Sequence, residues 1–115
     1  MDDKLLQDFK EYLVALNRSK DTIVIYTRNT KIFLQYIHSK NLNAIDVDYI
    51  ELEEYQGHLI KKGLKPFSVD VYMRSIKAFY KYLMKQKILI RNPADLITLP
   101  KLPKQLLRGL ELMRP

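Results

Sequence analysis

Apolar residues recur at steps of three and four along four separate stretches of this chain, the spacing of helices that bury one face. The clearest stretch is Lys65–Lys87, where Val69, Tyr72, Met73, Ile76, Phe79, Tyr80 and Leu83 form one stripe. Arg74, Lys77, Lys81 and Lys85 recur at the same steps on the other side, and Asp70 is the only acid in the stretch. Pro66 suits the first turn of such a helix, where no backbone N–H is needed. One face can therefore anchor a core while the other presents a row of cations.

Three helices precede it. The first spans about Asp3–Asn17, with Leu5, Leu6, Phe9, Leu13 and Leu16 inward and Asp2 or Asp3 as its cap. The second opens at Ser19, a good N-cap, and runs to about Lys40. It buries Ile23, Tyr26, Thr30, Phe33, Leu34 and Ile37, and its opposite row is Val24, Arg28, Lys31 and Gln35. A polar connector over residues 41–47 is expected to turn Leu42 and Ile45 inward. Asp48 with Glu51 three residues on predicts a capping box for the third helix. Its apolar positions are Ile50, Leu52, Tyr55, Leu59 and Ile60, and Gly63 stands where a left-handed C-cap would end it. After the fourth helix, Ile88, Leu89 and Ile90 are expected to fold back onto the bundle. Asn92–Pro93 then opens a short turn or helical stub over Ala94–Ile97. The last stretch, with Pro100, Pro103 and Pro115, reads as an extended linker or tail. The pattern predicts an all-α fold: a compact four-helix bundle over residues 1–97, then a linker over residues 98–115.

Length and composition narrow the function. A chain of 115 residues has room for one modest core. No apolar run approaches the roughly 20 residues that span a bilayer, and the acidic, amphipathic start MDDKLLQDF is unlike a signal peptide. There is no cysteine, so no disulfide framework or thiolate metal site, which fits a cytoplasmic location. His38 and His58 stand alone, without metal-ligand spacing or a nucleophile partner. No catalytic residue, metal, cofactor, small-molecule substrate or membrane partner is expected.

Charge is more informative. The net charge is +7, and its sign alternates helix by helix. Residues 1–17 carry −2, with Lys4 and Lys10 against Asp2, Asp3, Asp8 and Glu11. Residues 18–40 carry +4, with Arg18, Lys20, Arg28, Lys31 and Lys40 against Asp21. Residues 41–64 carry −3, residues 65–91 carry +6 and residues 92–115 carry +2. If the second and fourth helices share a side, that side is a strong positive surface suited to a polyanion.

Several stretches together resemble a known family. They are SKDTIVIYTRNTKIFLQYI from Ser19, HLIKKGLKP from His58, SVDVYMRSIKAFYKYLMKQKILIRNPADLI from Ser68, and PKLPK from Pro100. The most specific positions are Ser19 with Thr22 and Tyr26, Gly63–Leu64 with Pro66 and Ser68, Lys77 with Phe79–Tyr80, and Asn92–Pro93. The resemblance is to the N-terminal core-binding domain of tyrosine recombinases of the Xer and phage-integrase type, a SAM-like helical module, and it extends to about Lys104. It implies that the second and fourth helices face duplex DNA. It also implies that cutting and rejoining belong to a C-terminal catalytic domain, whose residues have no counterpart here, so this chain alone is not expected to be an enzyme. Lys65 stands at an N-cap position where the family commonly has serine.

The candidate DNA contacts follow. Arg74 and Lys77 lead, with Lys81 further along, Lys65 at the helix start, and Arg28 and Lys31 on the second helix. Thr22 and Ser68, near helix starts, are placed to donate to phosphates or to act as local caps. Val24 and Val71 are placed on the outer rows, either touching thymine methyls or standing as stray exposed valines. The basic rows also admit a bland reading as solvated faces. A second class of function stays open: a protein-interaction module whose basic face meets an acidic partner or a neighbouring recombinase protomer. That class predicts a contiguous exposed apolar patch.

Overall fold

The computed structural model describes residues 2–99. Within them the chain forms α1 (Asp2–Ala15), α2 (Lys20–Ser39), a 3-10 turn (Ala44–Asp46), α3 (Tyr49–Lys61) and α4 (Pro66–Lys85), with no strand. The expected all-α four-helix fold is thus the one observed.

Local chemistry sets the helix ends. Ser19 caps α2, its hydroxyl accepting the Thr22 N–H at 3.1 Å. Asp48 opens α3 with the predicted capping box: its carboxylate accepts from the first turn, and Glu51 Oε1 accepts the Asp48 N–H at 2.8 Å. Gly63 leaves α3 at φ 89°, a left-handed backbone conformation that strains residues carrying a Cβ. Lys65 caps α4 without a side-chain bond, so that helix starts on Pro66 alone.

α4 is the hub, packing on α1, α2 and α3. Val69, Met73, Ile76, Phe79, Tyr80 and Leu83 are all fully buried along it. Phe79 meets Phe9 of α1 edge-on at 5.3 Å between ring centres. Phe33 of α2 lies edge-on to Tyr55 of α3 at 5.1 Å and to Tyr80 at 6.2 Å. The Tyr80 hydroxyl donates to the Ala44 carbonyl at 2.8 Å, which fixes the 3-10 turn against α4.

The structure corrects several inward placements. In the α2–α3 connector Ala44 and Val47 are buried, while Ile45 is 48% exposed. The turn at Ala44–Asp46 resets the alternation there, and the smaller Ala44 fits under Tyr80. Leu16, Ile50 and Ile60 are also exposed, each at or near a helix end. After α4, Leu89 packs against the core, but Ile88 and Ile90 are exposed. Of the two forms expected at Ala94–Ile97, a turn or a helical stub, the chain takes the turn. Asn92 Oδ1 accepts the Ala94 N–H at 2.9 Å, an Asx turn that satisfies the backbone in place of helical bonds. Ala94 and Ile97 are nonetheless buried, and Gln56 Nε2 donates to the Thr98 carbonyl at 3.2 Å. Of the tail expected over residues 98–115, residues 100–115 lie outside the described residues.

Tyr55 carries a testable consequence. Its ring is buried, and its hydroxyl has no hydrogen-bond partner among the described residues. Burial, then the neighbouring Tyr72 and Tyr36, pushes its ionisation well above the ordinary tyrosine value of 10.0. The folded chain keeps this proton where an unfolded chain releases it. Its contribution to stability is therefore constant below about pH 10 and falls as pH rises beyond that. Tyr55→Phe should be neutral or stabilising by up to about 1 kcal/mol at pH 7, because an unpaired buried hydroxyl is removed. Urea midpoints followed into alkali should fall less steeply for the variant. Equal slopes would show that Tyr55 does not govern alkaline unfolding.

Candidate nucleic-acid interface

α2 and α4 lie against each other, and polar groups tie them across the core. Asn29 Nδ2 of α2 donates to Ser75 Oγ of α4 at 3.2 Å, and both residues are buried. The Ser75 hydroxyl in turn donates to the Val71 carbonyl at 2.8 Å. A buried amide that must reach one particular hydroxyl restricts how α2 can slide or turn on α4. The two basic helices are therefore neighbours held in register.

On α2 the outer row is as expected: Val24, Arg28, Lys31 and Gln35 lie on the solvent side, with Val24 61% exposed. Thr22 is not part of it. The side chain is buried, and Ser19 Oγ donates to Thr22 Oγ1 at 2.8 Å, so Thr22 belongs to the helix cap. On α4, Lys65 and Lys81 are exposed, while Ser68, Arg74 and Lys77 are half-buried. The outer-row placement of Val71 is corrected: it is 9% exposed and lies on the buried side of α4, one turn before Ser75. The periodicity alone puts it outside, but α4, packed by three helices, buries a wider arc than a helix on the rim.

Two of the cations have partners inside the protein. Arg74 Nε donates to Asp70 Oδ2 at 2.6 Å, and the Asp70 side chain is 2% exposed against 27% for Arg74. The acid precedes the base by four residues, the favourable order on a helix. Lys77 Nζ lies 3.4 Å from the Ile97 carbonyl, tying the 92–98 turn to α4. Lys77, Ala78 and Lys81 line a shallow depression of about 390 Å³ with Asn92, Ala94 and Asp95. Arg28, Lys31 and Lys81 make no side-chain bond to the described residues. In the sequence Asp70 stands out only as a lone acid, although its spacing to Arg74 is the signal of an ion pair. Nothing in the pattern marks Asn29 or Ser75 as partners, since their meeting depends on how α2 crosses α4.

An apolar feature lies elsewhere. Ile45 and Ile88 line two grooves, of about 500 and 370 Å³. Ile90 and Leu96, 95% and 71% exposed, border the larger one. Among the described residues no cluster of His, Cys, Asp or Glu could hold a metal ion, and no helix is long and apolar enough to cross a membrane.

The fold is a small all-helical module whose two basic helices pack on each other, and comparison with known proteins gives its class. Residues 5–90 match the family described as phage integrase, N-terminal SAM-like domain, and the chain belongs to that family. It is similar to the tyrosine recombinase XerC of Bacillus licheniformis, 31% identical over 100 residues, covering 85% of this chain and 33% of the relative. It is also similar to the tyrosine recombinase XerD of Staphylococcus epidermidis, 30% identical over 110 residues, covering 94% of this chain and 37% of the relative. A tyrosine recombinase of Pseudothermotoga lettingae is 30% identical over 107 residues, covering 90% and 37%. The chain thus spans about a third of the length of these relatives. No solved structure gives a significant match.

Proposed function

We propose that this chain binds duplex DNA through α2 and α4, as the N-terminal domain of a site-specific recombinase or integrase acting in the cytoplasm. The observation that carries the reading is that the two basic helices of a chain in this family are packed side by side. Arg28, Lys31 and Lys81 then neutralise phosphates, Arg74 and Lys77 approach the duplex from α4, and Val24 is the one apolar candidate for a base edge. Lys65 and Ser68 sit at the start of α4, where the positive end of the helix favours phosphate. Strand cleavage and rejoining are assigned to the part of such recombinases that this chain does not span.

The test is fluorescence anisotropy on duplex DNA across a salt series. Arg74 and Lys77 are poor first choices for substitution, because each also has a partner inside the protein. Arg28→Gln/Lys31→Gln/Lys81→Gln removes three cations without touching the core. Each phosphate contact contributes about 0.9 to the slope of log affinity against log salt, so the triple variant should lose roughly two to three from that slope. An unchanged slope in a folded variant would remove α2 and α4 from the interface.

A second reading, contact with a neighbouring recombinase protomer, is favoured by the grooves at Ile45 and Ile88, which form the kind of apolar patch that reading requires. Sedimentation with and without DNA separates the two: a chain that stays monomeric in both states does not use the patch for self-association.

A further inference from the structure

We propose that Asp70 is a positioning residue that aims Arg74 at the O6 and N7 edge of a guanine in the major groove, an assignment that rests on the DNA-binding reading above. Asp70 is a buried carboxylate on a helix otherwise lined with cations. Burying a carboxylate is costly unless it is paired, and a solvated basic face has no use for one. Its partner is Arg74, held through Nε at 2.6 Å. Arg28, Lys31 and Lys81 have no such support.

The pairing changes what Arg74 can recognise. Asp70 offsets the charge of the guanidinium, so the pair adds little to a general attraction for phosphate. Directionality is kept. The guanidinium is a rigid fork of five N–H donors, and the one on Nε is taken. The two terminal amino groups make no further hydrogen bond to the described residues. They present parallel donors from a side chain already fixed at its base, which reduces the rotamer freedom lost on binding. Guanine offers the matching pair of adjacent acceptors, and no other base presents two acceptors on that edge.

The experiment uses the full 115-residue chain to select duplexes from a randomised pool. Each guanine common to the selected duplexes is then replaced by 7-deazaguanine, which lacks the N7 acceptor. At one position the replacement should weaken wild-type binding roughly tenfold, the scale of one good bidentate base contact. D70N and R74K should each bind the unmodified duplex about that much more weakly and be insensitive to the replacement. D70N should also steepen the salt slope by about one, because Arg74 is no longer neutralised. A role in folding alone predicts the opposite: weaker binding to all duplexes alike, with sequence preference intact. That result, or insensitivity at every guanine, overturns the assignment while DNA binding stands. A wild-type chain that binds no duplex at low salt overturns both. Circular dichroism checks the fold. D70E, which keeps the charge but moves the carboxylate, replaces D70N in the comparison if that variant does not give the helical spectrum.

Discussion

Phe79→Ala should leave the domain close to unfolded at room temperature. Phe79 is fully buried at the point where α1 meets α4, edge-on to Phe9 at 5.3 Å and to Tyr80 at 5.5 Å. Truncating a buried phenylalanine removes its transfer free energy and leaves a cavity that rigid neighbours fill poorly, together about 3–5 kcal/mol. Its edge-on packing against the two neighbouring rings is part of that figure. Small domains hold only about 5–15 kcal/mol in total, and a chain of this size with a single core belongs at the low end. Urea denaturation followed by helical signal should show the midpoint lowered by roughly 2 M. A midpoint unchanged within error would mean that α1 is not docked on α4 as described.

The second large effect concerns the Asp70–Arg74 pair. Arg74→Ala leaves a carboxylate that is 2% exposed without its partner. An orphaned buried polar group costs about 1–3 kcal/mol, more when charged, but Arg74 is 27% exposed and water entering its place reduces the penalty. A loss of about 1–3 kcal/mol is therefore expected. Asp70→Asn/Arg74→Ala, which removes both charges, should recover most of it. The double-mutant cycle measures the coupling directly, and additive losses would show that the two side chains act independently. Arg74→Glu would place a second negative charge beside Asp70, so lost DNA binding in that variant would report on the fold as much as on the interface.

The four helices were legible in the sequence because each has a strong apolar period and the last three have a chemical marker at one end. Ser19, Asp48 with Glu51, Gly63 and Pro66 act on bonds within a few residues of themselves, so a local reading finds them. Burial is different, because it depends on the neighbour. Val71 looks like a surface valine on a helical wheel, yet it is covered because α4 is enclosed on more than one side. Ile45 looks like a core residue and is exposed, because the 3-10 turn hands its place to Ala44. The candidate interface divides in the same way. Arg28, Lys31 and Lys81 could be picked out by charge and spacing alone. Thr22 could not be separated from its cap, nor Arg74 and Lys77 from their partners, until the side chains were placed.

The central position of α4 also bears on how the chain comes off the ribosome. α1, α2 and α3 each pack aromatic or aliphatic side chains on a helix that is synthesised after all of them. Phe9, Phe33 and Tyr55 must therefore wait for Phe79, Tyr80 and Leu83 to emerge, several seconds at about 5–20 residues per second. During that interval the nascent chain carries exposed aromatic surface that holding chaperones can bind. Codons that slow translation before Leu83 has left the ribosome would lengthen the exposure, whereas slowing after it has emerged would leave a segment already able to close.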